Sequence, residues 1–297
     1  MKKIISVLIL IVLCILGWYL FIKKSDYIYR FETKTSQATV FYSISNWKKT
    51  NDSIHTETID STLYKSITQK LNYLDKNYTL FWDIKAENDS VTKVALGIKG
   101  AKNNAINRIT APFLNTEFKS MSKDIVMNFI RKLKMNLSTF RVKITGKTDS
   151  PAKKCACVNA KTKLENKAKH MMRNYNYIAD FVDENNLQPD GRPMVVINNF
   201  NKEENTIDMD FCFPVTRIDK LPENPDIFFR ELKAVPSLKA VFNGNYMYSH
   251  HAWFQIFDYA ENNAIDLKNN IIEKFHNNPN FGGDALQWTT EVYIPIK

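Results

Sequence analysis

The second half of the chain repeats one order of elements, and this repeat constrains the fold more than any other sequence feature. Runs that alternate with period two predict strands, and apolar residues every three or four positions predict helices. The first copy reads strand, helix, strand, strand in "CACVNAKT", "LENKAKHMMRNYNYIADFVDENNL", "MVVINNF" and "TIDMDFCFPV". The second copy reads likewise in "LKAVFNGNYMY", "SHHAWFQIFDYAENNA", "NIIEKFH" and "WTTEVYIPIK". We expect two tandem β-α-β-β units to pack as pseudo-symmetric halves with a groove between them.

The terminal strand, Trp288 to Lys297, has two unlike faces. Successive side chains of a strand point to opposite sides, so Val292 and Ile294 share one face with Trp288. Glu291 and Tyr293 share the other. The first face predicts a core, and the second predicts either a solvated surface or the wall of a pocket.

An uncharged apolar run extends from Ile4 to Ile22 and is bracketed by lysine pairs. A helix of this length would just cover a hydrocarbon core of about 30 Å. We therefore expect residues 1–24 to be an uncleaved transmembrane anchor and the protein to be a single-pass membrane protein, with a cleaved signal peptide as the alternative. Basic residues on both sides of the run leave the orientation across the membrane open.

Charge divides unevenly between the halves. Residues 1–150 contain 24 Lys and Arg against 12 Asp and Glu, whereas residues 151–297 contain 17 against 19. A basic half next to an anchor would be attracted to anionic lipid headgroups, so membrane lipid is an expected partner. No helix-turn-helix, zinc-finger or RNP-type motif accompanies the basic charge, and we expect no nucleic acid partner.

The first half predicts a sheet followed by one long helix. Strands are expected in "DYIYRFETKT", "IHTETID", "LYKSITQKLN", "YTLFWDIKAEND" and "VTKVALGIKGA", with a short helical segment in "ATVFYSISNWKKT". A six-turn amphipathic helix is predicted by the spacing of Phe118, Met121, Ile125, Phe129, Leu133 and Leu137. This order resembles the START-like (polyketide cyclase, SRPBCC) fold, which implies a domain at residues 25–150. The linker-like "KTDSPAKK", residues 147–154, predicts the boundary to a second domain at 151–297.

Several motifs of catalytic and metal chemistry are missing. Cys155, Cys157 and Cys212 lack a C-x-x-C spacing and are expected to be small buried residues. His250 and His251 are adjacent and are expected at surface or cap positions rather than on one metal ion. There is no G-x-S-x-G, Walker A or Rossmann pattern, so we expect no catalytic residues, metal or cofactor.

Five ordered segments of the second half resemble the GyrI-like effector-binding domain, a ligand-sensing module of AraC- and MerR-type multidrug regulators. They are "GRPMVVI", "IDMDFCFPV", "VFNGNYMYSHHAWFQIFDYAENN", "IIEKFHNNP" and "WTTEVYIPIK". They include the family's Gly-x-Tyr before a helix with Trp, its Glu-x-aromatic before Asn-Pro, and its Thr-Glu-x-Tyr-x-Pro ending. The resemblance implies a small-molecule pocket. No helix-turn-helix segment precedes the domain, so the chain does not resemble a transcription factor.

The resemblance also implies which residues line that pocket. Glu273 stands where the family has its central carboxylate, which could pair with an organic cation while aromatic rings add cation–π attraction. Phe275 replaces the tyrosine common in this motif. The full set of expected ligand-binding residues is Glu273, Phe275, Tyr293, Glu291, Tyr246, Trp253, Phe211 and Phe213. Trp253, Phe211 and Phe213 have ordinary core positions as the alternative.

The sequence therefore predicts an α+β protein with three parts: a transmembrane helix, a START-like antiparallel sheet with one long helix, and a tandem β-α-β-β GyrI-like domain. The expected function is binding of a small hydrophobic or cationic molecule. Two alternatives stay open: hydrolysis of reactive xenobiotics with Glu273 as general base, and inhibition of DNA gyrase.

Overall fold

The computed structural model of the chain describes residues 2–47, 54–102, 104–110, 113–216 and 222–297. The chain forms two compact units. The first comprises Met1–Glu87 and Val91–Met135, and the second comprises Asn88–Ser90 and Asn136–Lys297. The division thus falls after Met135, and residues 147–154 span the end of one strand and the start of the next inside the second unit.

The amino-terminal apolar run is not one continuous α-helix. Helix α1, Lys2–Gly17, has 16 residues and gives way to a π-helix at Trp18–Ile22, in which Lys23 N donates to Trp18 O at 2.9 Å. At about 1.5 Å per residue α1 is about 24 Å long, less than a hydrocarbon core of about 30 Å. Within the described residues no helix has both the length and the apolar character of a membrane span. The expected transmembrane anchor, and with it the single-pass membrane localisation, is therefore wrong, because apolar composition runs on past the point where the α-helix ends.

The carboxyl end of the π-helix is held by a buried arginine. Arg108 donates through Nη1 to the carbonyl of Leu20 at 2.7 Å and through Nη2 to that of Lys23 at 2.6 Å. Its Nε donates to Asp26 Oδ1 at 2.8 Å, and both side chains are almost completely buried. One guanidinium thus satisfies carbonyls that have no helical partner while its own charge is paired.

The first unit is an antiparallel sheet with three further helices. The sheet has the order β1-β5-β4-β3-β2. The strands are β1 Tyr27–Thr33, β2 Ile54–Thr62, β3 Ser66–Tyr73, β4 Lys76–Asn88 and β5 Val91–Gly100, and the helices are α2 Gln37–Ser45, α3 Asn104–Thr110 and α4 Glu117–Leu137. In chain order, the first unit thus has a strand, a short helix, further antiparallel strands and a long final helix. This order confirms the one that the START-like resemblance implies.

Helix α4 buries the stripe that its periodicity predicts. Met121, Ile125, Phe129 and Leu133 lie three or four residues apart and are buried. The ring of Phe129 lies 4.6 Å from the ring of Trp82 and 5.4 Å from that of Trp47. These tilted and edge-on contacts form the centre of the first unit's core.

The second unit is an eight-stranded sheet in the order β10-β7-β9-β8-β12-β13-β11-β6. Its strands are β6 Phe140–Asp149, β7 Lys153–Lys163, β8 Met194–Asn201, β9 Thr206–Pro214, β10 Ile227–Leu232, β11 Pro236–Gly244, β12 Ile271–Phe275 and β13 Thr289–Pro295; its helices are α5 Lys167–Glu184 and α6 His250–Asn262. The two β-α-β-β units are β7-α5-β8-β9 and β11-α6-β12-β13, and they meet where β8 pairs with β12. The α+β class is thus confirmed.

The two edge strands cross between these units. β6 precedes the first unit in sequence but pairs with β11 of the second, and β10 precedes the second unit but pairs with β7 of the first. Each β-α-β-β unit therefore has an edge strand from the segment preceding the other unit. The strand β6 was not predicted from the sequence, which assigned its residues to the first domain, and this crossing explains why it belongs to this sheet.

Two of the cysteines form a disulfide that the sequence did not predict. Cys157 of β7 lies directly opposite Cys212 of β9, and the two sulfur atoms are bonded. Cys155, two residues along β7, is a buried free thiol, and burial raises its pKa to about 12. The pairing depends on the β7–β9 register, which residue spacing does not give.

The adjacent histidines occupy the first turn of α6, after the cap residue Ser249, where His251 is buried and His250 is half-buried. His251 is 4% exposed, and its ring stacks on Phe140 with centroids 4.4 Å apart. Burial lowers the pKa of His251 to about 3. Burial, followed by the charges of His251 and Lys167, lowers that of His250 well below its usual value. Both rings are therefore neutral at physiological pH.

This burial predicts acid sensitivity of the second unit. Because the folded pKa of His251 lies below the unfolded value, the unfolded chain binds the proton first, so stability is full above about pH 6.5 and falls towards about pH 3. The loss is expected to be about 1.4 kcal/mol per pH unit for this one residue. His251→Phe keeps the stacked ring and removes the proton site. Denaturant unfolding at several pH values measures the free energy of unfolding as a function of pH. Below about pH 6.5 this free energy is expected to fall less steeply for His251→Phe than for the wild type. Equal slopes would contradict the lowered pKa of His251.

Candidate functional site

Glu273 lies at the centre of the eight-stranded sheet, on β12 between β8 and β13. It is 0% exposed, and a carboxylate in that position requires partners. Trp253 Nε1 of α6 donates to its Oε1 at 2.8 Å. Lys167 Nζ, at the first turn of α5, donates to its Oε2 at 2.5 Å. The carboxylate thus binds one group from each helix of the pseudo-symmetric pair.

Lys167 is a site residue that the sequence analysis missed. It is 0% exposed, it also donates to Ser249 Oγ at 2.6 Å, and its Nζ lies 4.7 Å from the centroid of the Trp253 ring. A lysine in the first turn of a helix is unfavourable for the helix dipole, so its place there depends on Glu273. Burial lowers the pKa of Lys167, while the charge and hydrogen bond of Glu273 act to raise it. The available signal was spacing: Lys167, Met171 and Ile178 share the buried face of α5.

A cavity of ≈350 Å³ opens beside this pair. It lies between α5, the turn at residues 245–247, the loop after β12 and the residue before β13. Its aromatic lining consists of Tyr175, Phe211, Tyr246, Phe275 and Trp288, and its methionines are Met171, Met172 and Met247. Pockets for small ligands begin at about 300 Å³, so the volume suits a small molecule.

Ring contacts and a hydrogen bond hold Tyr246 in place in the aromatic wall. Its ring lies 4.7 Å from Phe275 and 5.7 Å from Trp288, and its hydroxyl oxygen accepts from Asn277 N at 2.9 Å. Burial raises the pKa of this hydroxyl to about 12, so the ring is neutral. Gly244, two residues earlier, has φ +155°, and a Cβ there would come within 2.8 Å of Phe242. At Gly244 the backbone therefore passes too close to Phe242 for a side chain, and Tyr246 follows in the cavity lining.

The polar part of the lining carries no carboxylate. Arg192 and His276 are its titratable bases, and the remaining polar side chains besides the tyrosines are asparagines: Asn176, Asn245, Asn277, Asn278 and Asn280. Arg192 is exposed, and no ion pair to it is found in the part of the chain that the structure describes. The described walls thus combine ring faces, amides and positive charge.

Of the eight residues predicted to bind ligand, three line this cavity: Phe211, Tyr246 and Phe275. Glu273 and Trp253 are completely buried and lie outside its lining. Phe213 is also outside the lining, and its ring packs edge-on against Tyr175 at 5.2 Å.

Glu291 and Tyr293 lie on the opposite face of the sheet. Glu273 pairs with Val292, and Ile272 pairs with Tyr293, so the side chains of Glu273 and Tyr293 point away from each other. Lys239 Nζ lies 2.5 Å from Glu291 Oε1, and His276 Nε2 lies 3.1 Å from Oε2. Burial acts to raise the pKa of Glu291, but the hydrogen bond from Lys239 and the contact with His276 lower it to about 2. Glu291 therefore belongs to a charge cluster on this face, and it touches the cavity lining only through His276.

Comparison with known proteins relates this geometry to a family. The model of the GyrI-like small molecule binding domain matches residues 147–297. A comparison with curated proteins finds no significant sequence match. Among solved structures, the C-terminal domain of EcmrR is 16% identical, with coverage of 53% of this chain and 98% of that chain and a TM-score of 0.44. SAV2435 bound to tetraphenylphosphonium is 10% identical, with coverage of 53% and 93% and a TM-score of 0.34. The di-domain ARO/CYC protein StfQ is 9% identical, with coverage of 91% and 85% and a TM-score of 0.25.

Proposed function

Because the chain belongs to the GyrI-like small molecule binding family, we propose that its second unit binds a small, flat, hydrophobic molecule in the cavity beside Tyr246. The observation that carries this proposal is the aromatic wall formed by Tyr246, Phe275 and Trp288. Ring faces attract flat ligands of many structures, and the methionines of the opposite wall adapt their shape to different ligands.

A hydrolase reading receives no support from the described geometry. A general base needs to reach water or substrate, whereas Glu273 is completely buried, paired with Lys167 and outside the cavity lining. Binding without chemistry is therefore the function that the geometry favours. The charge of the ligand is a separate question, because the cation expected from the family resemblance would find no carboxylate in the described walls.

Acridone, a neutral tricyclic fluorophore, tests the proposal with the full chain. Trp288→Ala is expected to weaken acridone by about 1–2 kcal/mol, because it removes one ring face from the wall. Trp288 is half-buried and directly precedes β13 rather than lying within it, so the fold should survive the change. The matched control is Phe228→Ala, which removes a ring that is 40% exposed on β10, outside the cavity lining. Fluorescence titration that gives Trp288→Ala and Phe228→Ala the same acridone affinity would contradict the proposed site.

A further inference from the structure

The buried pair beneath the cavity has the composition of an occupied cation site. A carboxylate, a Trp ring face and a hydroxyl are the groups that would hold an organic ammonium ion. Here Glu273, Trp253 and Ser249 surround the ammonium of Lys167, at 2.5 Å, 4.7 Å and 2.6 Å respectively. The cation that this arrangement binds is therefore part of the chain itself.

We infer that Lys167 is a built-in cation that fills the carboxylate–indole site, and that the adjoining cavity selects planar aromatic anions, such as aromatic carboxylates or sulfonates. This inference rests on the proposed function, since it specifies the ligand class of the same cavity.

The occupied site adjoins the cavity wall through three connections. Ala168 follows Lys167 on α5 and lines the cavity. Phe275 lines it from the same face of β12 as Glu273, two residues away. Ser249 Oγ, which accepts from Lys167, donates to the carbonyl of Tyr246 at 3.0 Å. The pair is thus connected, through adjacent residues and one hydrogen bond, to side chains that a ligand would touch.

Electrostatics of the described residues then favour an anion. Lys167 and Glu273 together carry no net charge, whichever of the two holds the proton. The lining has no Asp or Glu to attract a cation, whereas Arg192 adds a positive charge at the rim. The asparagine amides offer N–H donors to a carboxylate or sulfonate. A cation in this cavity would meet Arg192, and no carboxylate is among the described lining residues.

Three dyes of one shape and different charge test the inference on the full chain: resorufin as the anion, acridone as the neutral molecule and proflavine as the cation. At mildly alkaline pH, the wild type is expected to bind resorufin about tenfold more tightly than proflavine. Arg192→Gln is expected to reduce that preference roughly fivefold and to leave acridone unchanged. Arg141→Gln, which removes an exposed arginine of β6 outside the cavity lining, is the matched control and should change none of the three affinities.

Lys167→Met tests the built-in cation directly. In this variant the charge of Glu273, which lies behind the cavity wall, is no longer compensated, so at alkaline pH proflavine affinity is expected to rise at least about tenfold. Lys167→Met/Glu273→Gln, which removes both charges, is expected to show no such gain. Should Lys167→Met fail to fold, the dye preference of the wild type and its loss in Arg192→Gln decide the matter.

The outcomes separate the two proposals. If no dye binds, the proposed function fails. If acridone binds but proflavine binds the wild type as tightly as resorufin, or if Arg192→Gln keeps the full preference, only the charge inference fails. A folded Lys167→Met protein without any gain in proflavine affinity would likewise overturn the inference while leaving the cavity as a binding site.

Discussion

Lys167→Met is expected to lower the free energy of unfolding of the second unit by about 3–5 kcal/mol, the usual cost of removing one partner of a buried ion pair. Among the described residues, the change leaves the completely buried Glu273 with the Trp253 N–H as its side-chain donor, and it also removes the hydrogen bond from Lys167 to Ser249. The remaining carboxylate must then be protonated or stay charged without its partner, and either state costs free energy.

Lys167→Met/Glu273→Gln is expected to recover most of this loss, because a neutral amide still accepts from Trp253 and no unpaired charge remains. Lys169→Met, an exposed lysine on the same helix, should change stability by less than about 0.5 kcal/mol. Hydrogen exchange measured on peptides from β8 and β12 reports the second unit alone. A loss in Lys167→Met no larger than that in Lys169→Met would show that the pair does not stabilise this sheet.

Phe129→Ala is expected to destabilise the first unit by about 3–5 kcal/mol, through lost burial and the cavity that remains. Phe129 is 1% exposed, and its ring touches both Trp82 and Trp47, so a rigid sheet and helix surround the space it would leave. Trp82 in turn donates to Gln69 Oε1 at 3.1 Å, which limits its movement into that space. The cost is therefore expected near the upper end of the range.

The matched control on the same helix is Met127→Ala, because Met127 is 48% exposed. It should change stability by less than about 0.5 kcal/mol. Hydrogen exchange in peptides from β4 gives the measurement for both variants. Similar protection in Phe129→Ala and Met127→Ala would mean that the ring cluster is not the core of this unit.

Periodicity predicted the parts of the fold that depend on local pattern. The buried stripe of α4 and the two β-α-β-β units follow from apolar spacing alone, and five ordered segments predicted the family of residues 147–297. The anchor prediction failed because the hydropathy of a segment does not determine its hydrogen-bond geometry. The apolar run continues to Ile22, but the α-helix ends at Gly17. A uniform composition does not guarantee a uniform helix.

The candidate site was harder to predict because it depends on register and on pairs distant in sequence. Alternation placed Glu291 and Tyr293 on one face correctly, but only the pairing of Glu273 with Val292 decides that this face is opposite to Glu273. Lys167 and Glu273 are 106 residues apart, and nothing local marks them as partners. The same holds for Cys157 and Cys212, which are 55 residues apart.

The crossing of β6 and β10 has a consequence for any shortened form of this protein. A chain beginning at residue 151 would contain all of α5, α6 and the cavity lining, yet it would lack β6. The backbone N–H and C=O groups of β11 along Pro236–Gly244 would then form an open sheet edge, a template for pairing with another molecule. Self-association of such a fragment would therefore result from the uncovered edge of β11 and not from an incomplete hydrophobic core. An isolated domain that stays monomeric should begin before Phe140.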